Sequence, residues 1–185
     1  MKKALLLSIT ILCISSLAFA QPGGIGVFAD PMGTSCDLLD AAPGLVLIYV
    51  VHVYSPGATA SQFSVLESHA MTYLSEAVTA PYIKIGTCTG AFAGCAIAYG
   101  GCYPSPNMIL TLQYFASGIT PPCGYIKIRE DVAAGKTDVL VTDCADPPNL
   151  LVATGGEGFI NNDGSCPCNI PVEETSWGQI KSLYK

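Results

Sequence analysis

The sequence predicts an all-β protein: an antiparallel β-sandwich of eight or nine short strands, closed by a short C-terminal helix. Three observations carry this. Apolar segments rich in Val, Ile and Tyr recur along the chain, punctuated by Gly, Pro, Asn and Asp at intervals of roughly 8–15 residues. Most of these segments alternate apolar with polar residues, the period of a half-buried strand. Long amphipathic helices between them, the mark of a parallel α/β sheet, are missing.

The first twenty residues stand apart. Lys2 and Lys3 precede an apolar run from Ala4 to Phe19, and Ala18-Phe19-Ala20 is a small-x-small cleavage sequence before Gln21. That pattern predicts a secretory signal peptide cut after Ala20, because the apolar core is too short to span a bilayer. Cys13 is a poor lipoprotein cysteine, since Leu12 precedes it where a small residue is expected. No other segment reaches the ~20 apolar residues of a membrane span. Residues 21–170 then form one domain, and 171–185 a linker and tail.

The elements follow in order. Gly24 to Ala29 is a short extended segment, and the stretch from Pro31 to Pro43 is turn-rich. Leu45 to Tyr54, bounded by Gly44 and Pro56, is a strand by composition, and "ATASQFSVLES" is its partner. Between Ser64 and Val78, Leu66, Ala70, Tyr73, Leu74 and Ala77 recur at helical spacing, which predicts a helix of one to three turns or an irregular crossover. "PYIKIGTC", "GCAIAYGGC", "MILTLQYFASG", "GYIKIRE", "DVLVTDC" and "NLLVATGGEGFI" complete the strands.

With Lys2 and Lys3 removed, 6 basic residues face 14 acidic ones. Such a surface does not attract nucleic acid or anionic lipid by its overall field. Eight cysteines remain: Cys36, Cys88, Cys95, Cys102, Cys123, Cys144, Cys166 and Cys168. An even number in an exported chain predicts four disulfides. Cys166-Pro167-Cys168 places two thiols together, yet no second Cys-x-Cys or Cys-x-x-Cys completes a thiolate metal site. Cys88–Cys95, around a short glycine-containing turn, is the first expected pair, and Cys102–Cys123 the second. Cys36 and Cys144 are then expected to join the Cys166/Cys168 segment.

Candidate chemistry is thin. His52 lies inside the Val/Tyr strand, either facing solvent or buried against backbone. His69 lies near Glu67 at the surface. No Gly-x-Ser-x-Gly elbow supplies a nucleophile. Glu130 and Asp131 are adjacent at a strand end and point to opposite faces, while Asp143 and Asp146 flank Cys144 in a turn. In "FINNDGSC", Asn161, Asp163 and Gly164 match three positions of a calcium loop. Its first position would be Phe159 and its twelfth Ile170, neither a ligand, and Asn-Asp-Gly turn chemistry explains the same residues. Tyr99, Tyr103, Tyr114 and Tyr125 lie on or beside strands and are the candidates for a sugar-binding face, although alternation sends Tyr99 and Tyr114 to the core. No cofactor and no metal is expected.

Two resemblances add to this. "LVLIYVVHVYSPGATASQFSV", followed later by "MILTLQYFASG", resembles the strand pattern of cohesin-like jelly-roll modules, an Ig-like sandwich architecture. The resemblance covers about residues 44–160 and implies the architecture alone; the cysteines depart from it. "EETSWGQIKSLYK" is similar to the tail of a group of uncharacterised secreted bacterial proteins, with a Trp-Gly-x-Ile-Lys core and a Leu-Tyr-basic end. That resemblance implies a tail separable from the domain before it.

By its own residues the tail predicts a capped helix. Ser176 and Gln179 form a capping box, Glu173 and Glu174 sit toward its start, and Lys181 and Lys185 toward its end. Trp177, Ile180, Leu183 and Tyr184 make one apolar stripe. Gly178 costs the helix up to ~1 kcal/mol, and a helix this short needs something to dock on. Three outcomes stay open: packing on its own domain, recognition by an export or surface partner through Trp177, Ile180, Lys181, Leu183 and Tyr184, or fraying. The functional expectation is a secreted extracellular or cell-surface structural or binding module without catalysis, meeting an unidentified protein or surface partner. A carbohydrate-binding module is the alternative, and a secreted hydrolase of glycosidase type comes third.

Overall fold

The computed structural model describes residues 22–68 and 71–168. Among them there is no helix, and twelve strands form one connected sheet system. In chain order these are β1 (Gly24–Phe28), β2 (Asp37–Leu38), β3 (Gly44–Val53), β4 (Ala58–Ser68), β5 (Thr72–Val78), β6 (Ile83–Thr87), β7 (Gly94–Tyr103), β8 (Asn107–Ala116), β9 (Gly124–Arg129), β10 (Val139–Asp143), β11 (Leu150–Gly155) and β12 (Glu157–Ile160).

Two layers pack face to face. The first runs β5–β8–β3–β1, antiparallel throughout. The second runs β6–β7–β4–β10–β11, also antiparallel. β4 serves twice: residues 58–62 pair with β10, and residues 64–68 pair with β9, which carries β12 and β2 beyond it. Alternation decides which side chains meet. Ile48 and Val50 of β3 and Leu110, Leu112 and Tyr114 of β8 point inward, against Phe63 and Val65 of β4 and Ile97 and Tyr99 of β7. A smaller apolar cluster of Phe28, Cys36, Val51 and Val53 sits on the outer side of the first layer, under the turn after β1.

The structure corrects several sequence expectations. The strands number twelve rather than eight or nine, and two pairings are parallel: β1 with β11 and β2 with β12. The helix or crossover expected in 64–78 is instead the end of β4 and the whole of β5. Weak helical spacing there loses to two ladders, β4 with β9 and β5 with β8, and a bulge after Tyr73 turns Leu74 out to solvent. The signal sequence and the expected C-terminal helix lie outside the described residues.

All eight cysteines among the described residues are paired, with Cα–Cα separations of 4.7–5.9 Å. Cys88–Cys95 forms as expected, and Cys36 does reach the end segment, through Cys168. The expected Cys102–Cys123 pair does not form; the pairs are Cys102–Cys144 and Cys123–Cys166. The reason is topological. Ala58 of β4 lies opposite both Tyr103 of β7 and Asp143 of β10, so the strand ends bearing Cys102 and Cys144 converge across Gly57. A Cβ on Gly57 would sit 2.8 Å from both sulfurs, so only glycine fits between them. Cys123 is delivered elsewhere: its N–H donates to the Ile160 carbonyl at the end of β12, beside the segment holding Cys166.

Candidate binding face

Of the candidate catalytic residues, His52, Asp131 and Asp143 are held in structural hydrogen bonds. His52 is buried, and its Nε2 lies 2.8 Å from the Pro22 carbonyl oxygen, to which it donates. Burial holds its pKa below the ordinary value, so the ring is neutral. Asp131 is buried, accepting from Gln62 Nε2 at 2.7 Å and from the Ala134 amide at 2.9 Å. Asp143 accepts from the Ala145 and Asn149 amides and from Asn149 Nδ2, which together hold its carboxyl below the usual range. These carboxylates close turns, as Asx chemistry does generally. Asp146 is exposed in the same turn, and the Glu130 carbonyl accepts from the Ser64 hydroxyl at 2.7 Å. His69 lies outside the described residues.

The calcium-like stretch is a set of turns. Asn161 Nδ2 donates to the Asp40 and Thr120 carbonyls, and its Oδ1 accepts from the Asp40 amide. Asp163 accepts from the Ser165 amide at 3.0 Å and the Ser165 hydroxyl at 2.6 Å. Cys123, Asp163 and Cys166 form the one group of metal-type donors brought together among the described residues. The two sulfurs are bonded to each other, which leaves no thiolate to ligate an ion. Tyr99, Tyr103, Tyr114 and Tyr125 form no exposed planar row. Tyr99 and Tyr114 are buried, Tyr103 meets Tyr82 edge-on at 5.4 Å, and Tyr125 lies under Lys127.

What the outer surface offers instead is breadth without charge. Two complete rows of side chains cross the second layer. One is Leu150, Thr142, Ala60, Ala98 and Ile83; the next is Val152, Leu140, Gln62, Ala96 and Ile85. None of the ten is charged. Ile83, Ile85, Leu150 and Val152 are each more than half exposed. Residue size varies across the rows: Ala60, Ala96 and Ala98 with Gln62 in the middle, Ile83 and Ile85 of β6 at one side, and Leu140, Leu150 and Val152 with Thr142 at the other. Gln62 is the only amide on the floor, and its N–H is engaged by Asp131.

At about 4.8 Å per strand, β10 and β6 stand ~14 Å apart across this floor. This strip of small residues between larger ones, called the trough below, is broad enough to seat a cylinder of about 10 Å, the girth of an α-helix. The first layer has a smaller counterpart, where Leu45 and Leu47 of β3, Phe115 of β8 and Leu74 of β5 are exposed beyond the turn that covers Val51 and Val53.

Sequence reasoning placed most of these strands but did not see the trough. It depends on which strands are neighbours, and no local pattern reports that. The predicted docking residues Trp177, Ile180, Lys181, Leu183 and Tyr184 lie outside the described residues.

No protein-family model matches this chain, and no curated protein matches it. Among solved structures it is similar to the sixth cohesin of scaffoldin B from Acetivibrio cellulolyticus, crystallised in complex with a Cel5 dockerin mutant. The identity is 8% and the TM-score 0.41, over 76% of this chain and 98% of that one. No function is carried over from it. Among the described residues no helix is long and apolar enough to cross a membrane, and four disulfides suit an oxidising compartment.

Proposed function

We propose that this protein is a secreted, non-catalytic binding module, and that its partner is a protein presenting an amphipathic helix to the trough on the second layer. The observation that carries this reading is the pair of uncharged rows with a small-residue floor between aliphatic rims. Surfaces of soluble monomers rarely leave so broad an apolar strip uncovered without a use for it. A helix laid in a groove buries its apolar side on residues such as Ala60, Ala96 and Ala98 while Ile85 and Leu140 flank it. The ten residues of the rows carry no charge, and the one carboxylate beside them, Asp131, is buried and engaged by Gln62 and the Ala134 amide, so an uncharged stripe fits best, since a buried unpaired charge on the partner is costly.

The test is affinity capture from the native secreted fraction, with the wild-type protein and three variants. Ala98→Arg fills the floor, Ile85→Lys charges the rim, and Phe115→Lys charges the other layer. A defined protein retained by wild type and Phe115→Lys, weakened roughly tenfold or more by the other two, supports the reading. Equal retention by all four removes the trough from the account. Loss with Phe115→Lys alone moves the interface to the first layer. A concentration-dependent dimer by light scattering, abolished by Ala98→Arg, replaces the foreign helix with a second copy.

A further inference from the structure

A second site lies where β3 ends. Met32, Gly33 and Thr34 of the turn after β1, Val53 and Tyr54 at the end of β3, and Ser105 and Pro106 of the turn before β8 enclose a cleft of about 390 Å3. That falls within the ordinary range of small-molecule sites, about 300–1,000 Å3.

Both walls are tied down. On one side the Asp30 carboxylate accepts from the Met32 amide at 2.9 Å, the Thr34 amide at 3.0 Å, the Thr34 hydroxyl at 2.9 Å and the Ser35 amide at 2.8 Å. Gly33 has φ +71°, and a Cβ there would press on Val53 at 3.0 Å. On the other side Ser105 Oγ accepts from the Ser55 amide and donates to the Ser55 carbonyl, both at 2.9 Å. Tyr54, between them, has φ +57°. A bulky residue in the left-handed region is uncommon and persists only where its surroundings enforce it. This conformation leaves Tyr54 42% exposed at the cleft.

The polarity of the lining specifies a ligand. No charged side chain lines the cleft. Thr34 spends its hydroxyl proton on Asp30, and Ser105 spends its own on the Ser55 carbonyl. Toward the cleft both oxygens can therefore only accept. The matching ligand donates hydroxyls to these two oxygens, can accept from the Tyr54 phenol, has an apolar face for Tyr54 and Met32, and is neutral, since no cationic side chain lines the cleft to pair with an anion. From this geometry we infer that the cleft at Tyr54 is a binding site for a neutral saccharide, with one pyranose ring against Tyr54 and its hydroxyls donating to Thr34 and Ser105. The C–H face of a pyranose suits the negative face of the phenol ring. This site is separate from the trough and does not depend on the reading above.

The experiment is an amide NMR titration of the disulfide-intact protein. Cellotetraose and mannotetraose serve as neutral probes and tetragalacturonate as the anionic one. Saturable shifts confined to Met32, Gly33, Thr34, Tyr54 and Ser105 are expected with at least one neutral probe, and none with the anionic one. Tyr54→Gly removes the ring while suiting the left-handed backbone, so its fold is retained; binding should weaken roughly tenfold or more. Tyr54→Trp should keep it. Absence of local shifts with both neutral probes, undiminished binding in Tyr54→Gly, or stronger shifts with tetragalacturonate would each overturn the assignment.

Discussion

The two sides of the sandwich are joined by different means. On one side the layers share a backbone ladder. β11 of the second layer pairs in parallel with β1 of the first, with Gly24 opposite Thr154 and Ile25 opposite Gly155, and the Gly156 amide donates to the Ile25 carbonyl at 2.8 Å. On the other side β5 and β6 are the last strands of their layers, and no ladder joins them. There the Glu76 carboxylate crosses the gap. It pairs with Lys84 of β6 and accepts from the Cys88 amide at 2.8 Å and the Thr89 hydroxyl at 2.9 Å. One side spreads its hold over main-chain bonds that no single substitution removes. The other concentrates it in one side chain that is 4% exposed.

The largest effect is expected from breaking that single side chain. Glu76→Ala leaves Lys84 without its counter-ion and two donors without an acceptor. We expect a loss of roughly 2–4 kcal/mol in denaturant unfolding of the oxidised protein. A loss under about 1 kcal/mol would mean that the apolar core packed between the layers holds the open side without the carboxylate.

The ladder side should fail only through its backbone. At Gly155 an added Cβ would sit 2.5 Å from the Ile128 carbonyl oxygen, a main-chain atom that cannot swing away. Gly155→Ala is expected to cost about 1–3 kcal/mol by overpacking. Thr154→Ser, beside it and exposed, should stay within about 0.5 kcal/mol. Equal costs for the two substitutions would show that close backbone approach is not what makes this side sensitive.

How much of this contrast is legible in the sequence differs between the sides. Alternation in "MILTLQYFASG" and "GYIKIRE" places β8 and β9 correctly, because each has one buried face. The parallel pairing of β1 with β11 joins segments more than a hundred residues apart and has no local signature. Glu76 is hidden for another reason: within "TYLSEAV" it reads as a surface residue of an amphipathic helix, and only the partner layer reveals its donors. Cys88–Cys95 was readable because its loop is short, whereas Cys102–Cys144 follows from strand order. The trough and the Tyr54 cleft are likewise products of topology, and Tyr54 in sequence is only the last residue of a β-rich run.

Acid separates the two sides more gently, because each holds one buried titrating group. On the ladder side His52 of β3, opposite Ile25 of β1, has its pKa held below 6.5 by burial, partly offset by its bond to the Pro22 carbonyl. On the open side burial pushes the Glu76 carboxyl up, but Lys84, the Cys88 amide and Thr89 outweigh it and hold the value below 4.5. For both groups the unfolded chain binds the proton more readily, so both contribute stability that is present at neutral pH and lost on acidification. The windows differ. His52 begins to cost stability as pH falls below about 6.5, and Glu76 only below about 4.5, each through its own depressed pKa. Thermal midpoints measured across pH should therefore fall in two stages. His52→Gln, which keeps a donor for Pro22, should flatten the upper stage and leave the lower one. Glu76→Gln should leave the upper stage and shrink the lower one, which Asp30, Asp40, Asp143 and Asp163 share through their own lowered pKa values, from a lower starting stability. A single stage, unaffected by His52→Gln, would place the acid sensitivity of the fold wholly in its carboxylates and leave the ladder side indifferent to pH.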